Sequence, residues 1–207
     1  KKKKYFICLV LLGLCLIRLN AQTTVESGTL LSTTWTLENS PYTVTGDVEI
    51  PSGNTLTIEP GVQVFVDGNF EIKILGKLLA EGTPSDSIYF GPTDPEIGWQ
   101  GLNFNQSYGN QIINVVVEHS NSSGISIENG SIKIEGCLIQ NNSSDFGGGI
   151  YCFESHFRLY NNVICNNESI KGAGVFLSYN SSRTVVFANN IIRHNQASDI
   201  GGGAFIY

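Results

Sequence analysis

Two aspartates, Asp145 and Asp199, stand at matching places just before Gly147-Gly148-Gly149 and Gly201-Gly202-Gly203. A carboxylate pair can divide acid and base work, one protonating a leaving group while the other activates water. Ile170 holds the corresponding place between them. Two stacked layers would therefore set them about 10 Å apart, the wide end of what an inverting hydrolase uses. The plainer reading is turn chemistry, because bends favour both Asp and Gly. A second set is aromatic. Tyr151, Phe176 and Phe205 recur at one place in successive segments, with Phe153 and Tyr207 close by. Rings aligned on an outer face suit the flat faces of sugars or a partner surface; self-stacking or cover by another segment is the competing account. His119, His156 and His194 share no column and form no metal-ligand spacing, and no phosphate-binding loop or nucleophile elbow is present.

These residues are positioned by a unit written three times. Ile132–Asn142, Phe157–Asn167 and Val185–Asn195 align at offsets of 25 and 28 residues, each followed by a small-residue tripeptide. Self-similarity of that period marks a stacked repeat, and short alternating runs broken by Asn and Gly mark its parts as strands. Alternation puts Ile132/Phe157/Val185, Ile134/Leu159/Phe187 and Ile139/Ile164/Ile192 inward. Lys133/Arg158/Val186 and Gln140/Cys165/Arg193 then face outward. After the glycines, Ile150/Val175/Ala204 and Cys152/Leu177/Ile206 face in, with Tyr151/Phe176/Phe205 out. No one repeat can bury its apolar face, but stacked coils bury each other's, which predicts an all-β solenoid. Asn141/Asn166/His194 and Asn142/Asn167/Asn195 fall at bends, where Asn tolerates a left-handed backbone and amides can bond up the stack.

The pattern resembles the right-handed parallel β-helix of the pectin-lyase-like superfamily. Its Asn-rich turns followed by Gly-Gly-x-aliphatic also resemble repeats of polymorphic outer-membrane and autotransporter-type surface proteins. Gly147-Gly148-Gly149-Ile150 and Phe187-Ala188-Asn189-Asn190 carry that likeness, while Ile134 and Leu159 stand where those repeats favour Phe. Leu56 to Val62 (Leu-x-Ile-x-Pro-Gly-Val) and Gly76 to Thr83 (Gly-x-Leu-x-Ala-x-Gly-Thr, with Leu79 within it) resemble entry coils of secreted bacterial β-helix proteins. Enzymes of that fold are mostly polysaccharide lyases and glycosidases. A lyase would want a basic residue beside an acidic calcium cluster, and no such cluster accompanies Arg158 or Arg193.

Lys1–Lys4 followed by the apolar run Tyr5–Ile17 reads as a secretory signal over residues 1–21, too short to span a membrane. Its removal leaves seven basic against 18 acidic residues, a net charge of −11. That excludes nucleic acid and anionic membrane as expected partners and is compatible with divalent cations such as Ca2+, although no metal site or other cofactor is identified. Cys137, Cys152 and Cys165 remain, an odd number expected as free thiols, the first two inward and Cys165 outward. Residues 22–46, with Trp35 and Pro41, are read as an N-terminal cap and 47–207 as the parallel β-helix repeats. The last repeat stops in mid-coil at Tyr207, so further C-terminal coils are expected.

The functional expectation is a secreted or cell-surface protein, extracellular or outer-membrane, with a structural or adhesive role. Its partner would be a glycan or another surface molecule, met through Tyr151, Phe176, Phe205, Phe153 and Tyr207, with no membrane insertion of the mature chain. The alternative is a carbohydrate-active enzyme, lyase or glycoside hydrolase, whose catalytic coils lie partly beyond Tyr207, with Asp145 and Asp199 as catalytic candidates.

Overall fold

The computed structural model describes residues 22–179 and 182–207; the expected secretory signal lies outside them. Short strands of β-branched and aromatic residues stack into three long sheets in which all paired strands are parallel. The first sheet has eight strands from Thr23–Val25 to Ile191–Arg193, the second eight from Gly28–Thr29 to Ala204–Ile206, and the third seven from Thr33–Trp35 to Val185–Ala188. About seven coils result. A fourth sheet has only three strands, Ser143–Phe146, Glu168–Lys171 and Gln196–Ile200.

The alternation of the sequence becomes ladders in register. Ile139 pairs with Ile164 and Ile164 with Ile192, continuing a column that runs from Thr23 through Tyr42, Val64, Phe90 and Val117. Ile132, Phe157 and Val185 form another, as do Ile134, Leu159 and Phe187. Their inner members are fully buried, and each column loses cover at the last coil, where Phe187 is 40% exposed. A coil packed on one side only buries one side only, so the exposure follows from position and not from a change of face.

Residues 22–46 carry strands of the three long sheets. Thr23–Val25, Gly28–Thr29 and Thr33–Trp35 join the first, second and third sheets through Tyr42–Val44, Val48–Ile50 and Thr55–Ile58. Trp35 stacks on Tyr42 with centroids 4.7 Å apart, and both rings are buried.

The corners are made by Asn. Asn141, Asn166 and His194 have φ between 55° and 56°, in the left-handed region, and turn the chain out of the first sheet. The next residue in each coil points inward and builds a ladder: Asn142 Nδ2 donates to Asn167 Oδ1 (3.0 Å), and Asn167 Nδ2 to Asn195 Oδ1 (2.9 Å). The same oxygens accept the backbone N–H of Asn142 and Asn167, and Asn167 Nδ2 also reaches Ile139 O. Asn142 and Asn167 are buried, yet their amides are satisfied. A second ladder links Asn162 to Asn190 at the corner between the third and first sheets. Cys137 holds the equivalent place one coil earlier: its N–H donates to Asn162 Oδ1, and its Sγ lies 3.3 Å from Ile112 O, where the other coils present an amide nitrogen.

Among the described residues the three cysteines are free, and Cys137 and Cys152 lie in the core. Cys165 corrects the sequence reading. It sits in the outer column between Gln140 and Arg193, but it is buried, with Sγ 3.8 Å from Gln140 Oε1 and from Asn166 Nδ2. Alternation fixes the side of a strand and not what lies across it; here long neighbouring amides cover the small thiol.

Coil length changes along the stack. Between the first and second sheets, residues 119–124 suffice after Glu118, but residues 141–149 are needed after Gln140, and 166–174 after Cys165. The longer connections carry the fourth sheet, which stands out from the body as a wall beginning abruptly at Ser143. Its first strand is an edge, and hydroxyls blunt it. Ser143 N donates to Ser120 O, while Ser123 Oγ (3.0 Å) and Ser144 Oγ (2.5 Å) both donate to Phe146 O.

Candidate functional site

Where the short coils meet the wall, an open groove of about 840 Å³ runs along the surface. Its floor is the outer face of the second sheet. Asn103, Ser126 and Tyr151 form one register column there, and Glu128, two residues beyond Ser126, belongs to the neighbouring one. The wall contributes Ser143, Asp145, Phe146, Glu168 and Ser169. The groove is lined by three carboxylates, Glu128, Asp145 and Glu168, and among its lining residues there is no Lys, Arg or His.

The aromatic column is in line, as its spacing implies, but its rings are not equivalent. Tyr151 and Phe176 stack with centroids 5.5 Å apart and planes 15° from parallel, and Phe176 and Phe205 stack at 5.5 Å and 22°. Phe146 packs edge-on against Phe176 at 5.3 Å. Phe176 thus has both faces and an edge covered, and it is half-buried. Tyr151 gives one face to Phe176; the other looks along the stack toward Ser126, whose side chain is too small to cover a ring. Both residues line the groove. Burial, and then the charge of nearby Glu128, push the Tyr151 hydroxyl above its usual pKa, so it stays a protonated donor at neutral pH. Phe153 and Tyr207 lie on a separate column with Ser178 between them, and Tyr207 is 82% exposed.

The two aspartates are placed differently from each other. Asp145 lines the groove. In the last long coil a β-bulge leaves Ser198 and Asp199 both opposite the single residue Ile170. Ser198 turns to the groove, whereas Asp199 pairs with Lys171 at 3.6 Å outside it. Glu168 takes the place beside Asp145 that the sequence reading gave to Asp199. It pairs with Ser143, one strand over and two residues out of step from Asp145. Glu128, Glu168 and Ser126 were not singled out by the sequence. The available signal was the change of repeat length, from 22 residues between paired Asn110 and Ile132 to 25 between Ile132 and Phe157, which demands a ledge.

Ser169 Oγ also lines this region; it is buried and has no hydrogen-bond partner among the described residues. Among the described residues no group of three His, Cys, Asp or Glu side chains converges as a metal site. No helix there is long and apolar enough to cross a membrane.

A family profile described as a right handed beta helix region matches residues 95–207, more than half of the chain and the whole of the groove. The chain belongs to the right-handed β-helix family. No curated protein and no solved structure gives a significant match. In this β-helix the groove arises where the connection between the first and second sheets changes length while the apolar columns continue.

Proposed function

We propose that the protein is a secreted or cell-surface β-helix with a structural and adhesive role, holding a glycan chain in the groove beside the wall. The observation that carries this reading is the uncovered face of Tyr151, set among Asn103, Ser126, Glu128 and the serines of the wall. A flat apolar face can take the C–H side of a sugar while surrounding hydroxyls, amides and carboxylates bond its hydroxyls. Extracellular placement is supported by the basic and apolar character of residues 1–21 and by the acidic remainder. Screening the chain from residue 22 on a glycan array tests the reading. Tyr151→Ala should lose about tenfold or more in affinity for any glycan retained, about 1.4 kcal/mol, while costing little more stability than its ring contact with Phe176, about 0.5–1.5 kcal/mol. Absence of any glycan binding would contradict it.

One observation favours a second reading, a carbohydrate-active hydrolase or lyase. Asp145 and Glu168 share a face of the wall on adjacent strands. Strand spacing and a two-residue offset set their Cα atoms about 8 Å apart, so carboxyl groups projecting side by side from that face can reach the separation an inverting hydrolase uses. Release of reducing ends from a bound polysaccharide, abolished in Asp145→Asn and Glu168→Gln, would establish it.

A further inference from the structure

We infer that the groove selects sugars bearing a positive charge, oligomers with free amino groups, over neutral or acidic ones. This rests on the glycan-binding reading above and adds the ligand class. The groove has three carboxylates and no cationic side chain in its lining, and Glu128 lies close enough to Tyr151 for its charge to act there. The nearest lysine of the wall, Lys171, is already paired with Asp199 outside the groove. An acidic sugar such as a uronate would bring its carboxylate against Glu128, Asp145 and Glu168 with no cation in the lining to offset the repulsion, the lysine beyond Asn103, Lys73, being paired with Glu49. A free ammonium placed by a sugar ring lying on Tyr151 would instead meet Glu128, whose charge is felt at the Tyr151 hydroxyl. The spacing of the other carboxylates also fits an oligomer. Glu168 and Asp145 lie on successive strands along the wall, so units further along a chain meet a new carboxylate.

A second observation points to a ligand independently of charge. Ser169 Oγ, at the groove, is buried without a hydrogen-bond partner among the described residues, a cost that folded proteins seldom leave uncompensated. Rotation of the Ser169 side chain about χ1 toward the groove would let a sugar hydroxyl or ammonium supply the missing partner. Asn121, Ser122 and Ser123 on the short-coil side offer further hydroxyl and amide groups to a polar chain. The aromatic face supplies the preference for a ring, and the carboxylates supply the preference for charge.

The test is titration calorimetry on the chain from residue 22 with four probes at about pH 5.5, where carboxylates are ionised and amines protonated. The probes are a glucosamine hexamer, its fully N-acetylated counterpart, a galacturonic acid hexamer and a lysine hexamer. The glucosamine hexamer is expected to bind at least about tenfold more tightly than the acetylated one, with no binding of the galacturonate. Glu128→Gln, and separately Glu168→Gln, should each cut that preference about threefold or more while leaving the melting temperature unchanged. Raising salt from about 0.05 to 0.5 M should narrow it further. Equal binding of the acetylated and free-amine hexamers would overturn the charge selection and leave the glycan reading standing. Lysine hexamer binding as tightly as glucosamine would overturn the requirement for a sugar. If none of the sugars binds, the glycan reading falls together with this one.

Discussion

At the scale of single residues, the buried cysteines show how much environment adds to type. Burial pushes the Cys137 and Cys152 thiols from their ordinary value of 9.0 up to about 12. Below pH 9 the folded and unfolded chains both hold these protons and the thiols add no pH dependence. Above it the unfolded chain ionises first, so stability falls as pH rises, by about 1.4 kcal/mol per unit for each thiol until the native thiols ionise near 12. In Cys137→Ser, whose hydroxyl can still donate toward Ile112 O, urea unfolding between pH 9 and 11 should show a slope shallower by about that amount. An identical slope would mean that Cys137 is not shielded. The inside and outside of the strands can be tested as simply. Ile164→Ala opens a cavity in a continuous ladder and should cost about 2–5 kcal/mol, whereas Lys133→Ala loses only a surface pair with Glu135 and should cost at most about 0.5 kcal/mol. Inward and outward positions were legible from alternation alone. The burial of Cys165 was not, because its cover comes from Gln140 in the preceding coil and from a turn, and neither is encoded in the period of its own strand.

At the scale of elements, the Asn corners hold the coils in register. Asn167 is the middle of its ladder, so Asn167→Ala strands the N–H of Asn142 and the carbonyl of Ile139 in the interior. Each unpaired group costs about 1–3 kcal/mol, and thermal melting should register a loss of at least about 2 kcal/mol. A substitution at Asn141, exposed one residue earlier, should cost far less, provided that Gly replaces it at its positive φ. Equal losses would mean that the ladder adds nothing beyond the turn. The tripeptides divide their work. Gly147, Gly172 and Gly201 have positive φ, whereas a Cβ on Gly174 would stand 2.3 Å from Gly203 O, so that coil approach forbids any side chain. Both needs were readable from the repeats; the middle place takes a fully buried Cβ at Ala173, but at Gly148 one would stand 2.2 Å from Glu168 O, which the repeats did not reveal. The β-bulge that turns Asp199 toward Lys171 was not readable. It comes from one added residue in a coil of otherwise matching pattern, and a bulge moves a side chain without disturbing the columns around it.

At the scale of the whole molecule, the site is a consequence of coil length. A solenoid of uniform coils has smooth sides; lengthening the connection after Gln140 raises a wall and leaves a ledge, and the groove is the angle between them. The fold was legible because every coil repeats it. The groove lies at the step from connection 119–124 to the longer connection 141–149, and so was written only in the change from one repeat length to the next. The aromatic column likewise could be traced through the sequence, but which ring is free depends on Ser126, the residue at which the column stops being aromatic. Ser126 therefore gives the most direct test. Ser126→Phe would extend the stack by one ring and cover the open face of Tyr151, adding a ring contact of about 0.5–1.5 kcal/mol. Calorimetric melting and glycan affinity measured side by side should show a melting temperature equal to or above that of the unsubstituted protein, with binding lost. Binding that survives in a Ser126→Phe protein of undiminished stability would show that the face of Tyr151 is not where the glycan lies.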